Sequence, residues 1–160
     1  MALSFRRNGD GSFSITIPQQ ERRLLEELIP QVRELISDHD QLAWRLFPNP
    51  YPEHEKAADQ YAEMIGDELQ DNHLAALATV EATLDAKRLD EDQMNAWMGA
   101  VNDVRLVIGT RLKVEEDTEI DSYEDETDQA LFLTYSYLGL MLERIVVAIA
   151  GDGLDDDPMA

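Results

Sequence analysis

The chain has 160 residues, no cysteine, and 34 acidic against 13 basic side chains, for a net charge of −21 at pH 7. That length suits one domain, which buries about 68–70% of its unfolded surface without a disulfide or metal; the missing thiols exclude disulfides, cysteine nucleophiles, thiolate zinc sites and any cysteine redox switch. So acidic a surface argues against direct contact with nucleic-acid backbones or anionic membranes, and for attraction to basic proteins, with solubility as its plainer role.

The first residues, MALSFRRNGDG, contain no apolar segment of signal-peptide type, so a cytoplasmic location is expected. Residues 3–17 read as a β-hairpin. Phe13, Ile15 and Ile17 alternate with polar residues, and Asn8-Gly9-Asp10-Gly11 supplies the turn. The same turn is no calcium loop: the EF-hand pattern needs Asp five positions before its glycine, and Arg6 stands there.

Pro18 opens a helix whose stripe is Leu24, Leu25, Leu28, Ile29, Val32, Leu35 and Ile36. Pro30 inside it predicts a kink. A short helix from Asp40 to Phe47 and a proline-rich loop, FPNPYPEHE, follow. Helix resumes near Glu55, with Ala57, Tyr61 and Met64 inward. Gly66 should interrupt it, and Asp67 should cap a new helix to Leu84. There His73 shares the apolar face of Leu69, Leu77, Val80 and Leu84. With no second histidine or spaced carboxylate beside it, His73 reads as a partly buried, hydrogen-bonded side chain rather than a ligand.

After the turn DAKRL, Asp90 caps a long helix with Met94, Trp97, Met98, Val101, Val104, Ile108 and Leu112 on its buried face. Nine of the fourteen residues from Glu115 to Asp128 are acidic, which predicts a solvated, mobile loop. Residues 128–150 are apolar almost all round, so they read as a membrane span or a central core helix. Glu143 and Arg144 lie well inside this segment, each at about 2.5–3.5 kcal/mol near a bilayer centre. The core reading is therefore preferred. Gly151 is a natural C-cap, and residues 151–160 are expected to form a flexible acidic tail. The expected architecture is mainly α: one helical-bundle domain over residues 1–150, built around a central C-terminal helix, with a small N-terminal hairpin.

Motifs for chemistry are sparse. The sequence holds no HExxH or Glu-x-x-His, no GxSxG elbow, no P-loop and no GxGxxG. No catalytic residue, metal or cofactor is expected. The best stretch for reading DNA, VNDVRLVIGTRLK at 101–113, is half apolar and runs straight into the acidic loop. Gly109 and Gly139 suggest close helix–helix approach. If the last two helices pair antiparallel, Asn102 should oppose Gly139, and Arg105 should lie near Ser136 or Tyr137. Some of Asn102, Asp103, Arg105 and Glu143 are expected to form a partly buried polar network.

FRR and its glycine turn at 5–11, RLFPNPY at 45–51, LDEDQMNAW at 89–97, NDVRLVIGTRL at 102–112 and YLGLMLE at 137–143 together resemble the actinobacterial DUF2017 family. That family is also described as AosR-type oxidative-stress transcription regulators. The resemblance runs through nearly the whole chain, and NDVRLVIGTRL is its most specific part. It implies a mainly helical cytoplasmic protein, a regulator working with a sigma factor on cysteine-biosynthesis genes. Family genes also tend to lie beside a ClpS-type adaptor gene. The family's disulfide switch cannot operate here without cysteine. Met64, Met94, Met98 and Met141 could be oxidised, but they read as core filler.

The leading expectation is a non-enzymatic regulatory protein acting through a basic partner such as a sigma factor, without direct nucleic-acid or membrane binding. Glu115, Glu116, Asp117, Glu119, Asp121, Glu124 and Asp125 would form its partner surface. The alternatives are an adaptor or accessory protein in Clp proteolysis or sulfur metabolism, or an unrecognised enzyme. The apolar surface of the last helix leaves a homodimer open.

Overall fold

A computed structural model describes residues 2–47 and 51–151. The hairpin forms as read: β1 (Ser4–Arg7) pairs antiparallel with β2 (Phe13–Thr16). Of its two glycines only Gly11 takes a positive φ, +86°, and Asp10 accepts a hydrogen bond from the Ser12 amide to close the turn. A third strand was not legible. β3 (Arg88–Leu89) lies antiparallel to β2 within the expected DAKRL turn. Two residues are too few to display a period of two.

α1 (Gln19–Ser37) buries Leu25, Ile29, Val32 and Ile36, with Pro30 on its exposed side. A 3-10 turn (Gln41–Leu46) follows, capped by Asp40, whose carboxylate accepts from the Leu42 amide at 2.9 Å. The proline-rich loop expected next lies partly outside the described residues. α2 (Glu55–Ala82) then runs unbroken through Gly66. The expected interruption fails because one helical glycine costs only about 1 kcal/mol against alanine, less than ending a helix. Arg22 and Arg33 of α1 pair with Asp85, just beyond the end of α2, and with Glu81 in its last turn.

α3 (Glu91–Leu112) opens with a capping box. Asp90 accepts from the Gln93 amide, and the Gln93 side chain accepts from the Asp90 amide. α4 (Glu126–Ala150) is capped by Asp125 and ends at Gly151 in the left-handed region, φ +64°. Arg7 of β1 reaches over this end and donates to the Ile149 carbonyl at 2.6 Å. The tail at 152–160 lies outside the described residues.

The bundle packs around its two C-terminal helices, but burial is shared unequally between them. α3 touches α1, α2, α4, β3 and the first 3-10 turn. It buries ten residues, among them Trp97, Val101, Val104 and Ile108. α4 buries only Leu138, Met141, Ile145 and Ala148. The most apolar helix is thus not enclosed all round as expected; it shields α3 with one face and leaves Leu133, Leu140, Val146 and Val147 exposed. α3 can take the more buried place despite its charges because Asp103 finds a partner, His73, inside the fold.

Candidate functional site

Three places hold polar or apolar groups that the core does not need. The first is buried between α2 and α3. His73, on the apolar face of α2, sets its Nδ1 2.7 Å from Asp103 Oδ2. Its Nε2 stands 2.9 Å from the Leu46 carbonyl. A carbonyl can only accept, so Nε2 carries a proton. The Nδ1 contact then needs a second proton, donated by an imidazolium or by a neutral Asp103 carboxyl. Asp103 is only 4% exposed, and its burial pushes its carboxyl upward; its hydrogen bond in turn raises His73 above the ordinary histidine range. Both shifts have one sign: the pair holds its shared proton to higher pH than free side chains would.

The absence of a carboxylate for His73 is therefore corrected. The partner comes from a helix thirty residues on, which local spacing cannot show. The legible signal was Asp103 itself, a charge set among Val101, Val104 and Ile108. Phe47 covers His73 edge-on at 5.7 Å between ring centroids and meets His39 at 5.4 Å. Beside Phe47 a groove of about 370 Å³ runs along α2, lined by Tyr61, Ile65 and Leu69 with Asp59 and Asp67. Among the described residues, no group of three or more His, Asp and Glu side chains is arranged to hold a metal ion.

The second place is the α3–α4 seam. Both expected glycine contacts occur there. A Cβ at Gly109 would stand 2.9 Å from Tyr135 Cε2, and one at Gly139 would stand 3.0 Å from Arg105 Nε. Arg105 lies over the Tyr135 ring, its Cζ 4.3 Å from the centroid. Each helix thus lends a glycine to seat the other's large side chain. The pairing is antiparallel as expected, but Arg105 rather than Asn102 opposes Gly139, a slip of nearly one turn.

The expected polar network does not assemble. Asp103 and Arg105 are two residues apart on one helix, about 200° around its axis. Asp103 therefore turns to α2, and Arg105 to α4. Arg105 Nε is buried with no hydrogen-bond partner among the described residues. Asn102 is half-buried, and Glu143 lies on the exposed outer face of α4.

The third place is the acidic loop. Glu115, Glu116, Asp117, Glu119, Asp121, Glu124 and Asp125 are all exposed. Yet their backbone is tied down. Tyr123 Oη donates to the Leu112 carbonyl at 3.0 Å, and Gln129 Nε2 donates to the Tyr123 carbonyl at 2.7 Å. The Glu115 amide donates to Thr118 Oγ1, and a single 3-10 turn spans Ile120–Ser122. The loop thus presents its exposed acidic residues from a hydrogen-bonded backbone between the end of α3 and the start of α4.

A family model described as "Domain of unknown function (DUF2017)" matches residues 2–149. No curated protein matches the chain, and no solved structure matches it.

Proposed function

We propose that this chain, which belongs to the DUF2017 family, is a non-enzymatic regulatory protein that works by binding a basic protein partner. The observation that supports this reading is the tied acidic loop, with seven outward carboxylates on a hydrogen-bonded backbone. A preordered surface loses less conformational entropy on binding than a disordered tail. Its charge speeds encounter with a cationic partner and discriminates against acidic ones. A sigma factor with a basic face would satisfy this chemistry, in line with an AosR-type role in the oxidative-stress response. A switch in this chain would have to work without thiols, since it has no cysteine.

The test is an affinity capture from host lysate at low and then high salt, with bound proteins identified by mass spectrometry. The companion bait carries Gln or Asn in place of the seven loop carboxylates. A sigma factor or polymerase subunit retained by the wild type, and lost both at high salt and with the neutral loop, supports the reading. Clp components on the bait would move the chain to the adaptor class. No salt-sensitive partner on either bait would remove the loop from consideration.

A further inference from the structure

The exposed face of α4 has a periodicity that the proposed acidic contact does not use. Leu133, Leu140 and Val147 are 58%, 42% and 37% exposed. They recur every seven residues, which aligns them in one row along the helix. Isolated exposed apolar side chains need no explanation; a row of them does. Each end of the row opens on a groove. Near Leu133 the groove, about 330 Å³, lies between α4 and the start of α1, with Leu24, Tyr137 and Glu21 on its walls. Near Leu140 and Val147 a groove of about 400 Å³ is walled by Leu3, by Phe5 of β1, and by Glu143 and Arg144.

Charge selects the occupant. Glu124, Asp125 and Glu126 stand exposed at the start of α4, and Glu143 is exposed midway. Arg144, the one cation within α4, donates to the Leu3 carbonyl at 3.1 Å. A second copy would bring another −21 charge against this surface. An anionic bilayer is disfavoured for the same reason. An amphipathic helix with one apolar row and lysine or arginine flanks satisfies both the row and the acidic border, in the manner of helix-in-groove recognition.

We propose that the Leu133–Leu140–Val147 row is the docking surface for a basic amphipathic helix of the partner protein, with the acidic loop receiving its cationic end. This rests on the partner-binding reading above and adds the shape of what binds.

The probe is a fluorescein-labelled synthetic Leu/Lys peptide with leucines at heptad spacing. A peptide of the same composition with the period scrambled serves as its control. Binding to the full chain is read by fluorescence anisotropy. Leu140→Glu is the decisive variant because it removes apolar surface while adding negative charge. Row docking predicts that wild type prefers the amphipathic peptide, and that Leu140→Glu weakens binding about tenfold or more. Leu140→Ser, which changes no charge, should also weaken it and guards against misfolding of the Glu variant.

If both peptides bind alike and Leu140→Glu binds as tightly or tighter, charge alone drives capture. The row proposal then falls, while the acidic-partner reading stands. If neither peptide binds at low salt, both fall. A dimer in sedimentation velocity that Leu140→Glu converts to monomer would assign the row to a second copy and overturn the proposal. Row-dependent flotation with zwitterionic vesicles would assign it to a membrane, with the same result.

Discussion

His73 is held between two oxygens, one of the Asp103 carboxyl group at 2.7 Å and the Leu46 carbonyl at 2.9 Å. A neutral ring can donate to only one of them, so the pair holds one further proton, on Nδ1 of the ring or on the Asp103 carboxyl. Because Leu46 closes the first 3-10 turn, the Nε2–H bond fastens the segment after α1 to α2, while the Asp103 contact ties α2 to α3.

The pair gives stability a pH slope of known sign. Groups whose folded pKa is raised bind more protons folded than unfolded, so they stabilise at low pH and lose that contribution as pH rises. For His73 the stabilisation is complete below the ordinary value of 6.5 and disappears as pH climbs through its raised folded value. The melting temperature should therefore fall as pH rises from 6.5 into the alkaline range. Asp103→Asn should flatten this slope and cost about 2 kcal/mol below it. An NMR titration that places the His73 midpoint at or below 6.5 would sink the account.

The helical glycines should divide by what surrounds them. Outside its own helix backbone and chain neighbours, no described atom lies within 4 Å of a Cβ built at Gly66, so Gly66→Ala should stabilise by about 0.5–1 kcal/mol through helix propensity. At Gly109 the added carbon meets the Tyr135 ring, and overpacking of about 1–3 kcal/mol should outweigh that gain. Chemical denaturation of the two variants reads this directly. Equal and opposite shifts are not required, but Gly109→Ala must not be the more stable of the two.

Arg105 offers a sharper case. Its Nε is buried without a hydrogen-bond partner among the described residues, while its Cζ lies 4.3 Å from the Tyr135 centroid. Arg105→Met would give up a cation–π contact of about 0.5–1 kcal/mol. It would also remove an orphaned donor whose burial costs about 1–3 kcal/mol. The expected result is unchanged or slightly raised stability. Arg105→Ala, which leaves a gap over Tyr135 and Gly139, should destabilise. A large loss with methionine would reveal a hydrogen-bonded role for this guanidinium.

The methionines are not all core filler. Met94 and Met141 are fully buried, whereas Met64 on α2 is 81% exposed. Mild peroxide should convert Met64 to its sulfoxide well before the buried pair, in an order readable by peptide mass spectrometry. Far-UV circular dichroism should be unchanged at that first step. Early loss of helicity, or earlier oxidation of Met94, would contradict this burial pattern.

Local chemistry in the sequence determined the elements. Alternation and an Asn-Gly-Asp-Gly turn specify the hairpin; the caps Asp90 and Gly151 mark helix ends; the apolar stripes name most of the core. Gly109 and Gly139 even announce the close seam between the last two helices. These signals act over one or two turns, so a linear reading recovers them. Tertiary structure decided what depends on packing between distant segments. It paired His73 with Asp103 across thirty residues, split Asp103 from Arg105 onto opposite sides of α3, and shifted the α3–α4 register by nearly a turn. It also turned part of the most hydrophobic helix outward. Composition measures how apolar a segment is, but burial is set by which neighbours fill the space around it. A helix with charges, such as α3, can occupy the centre when a partner inside the fold satisfies them.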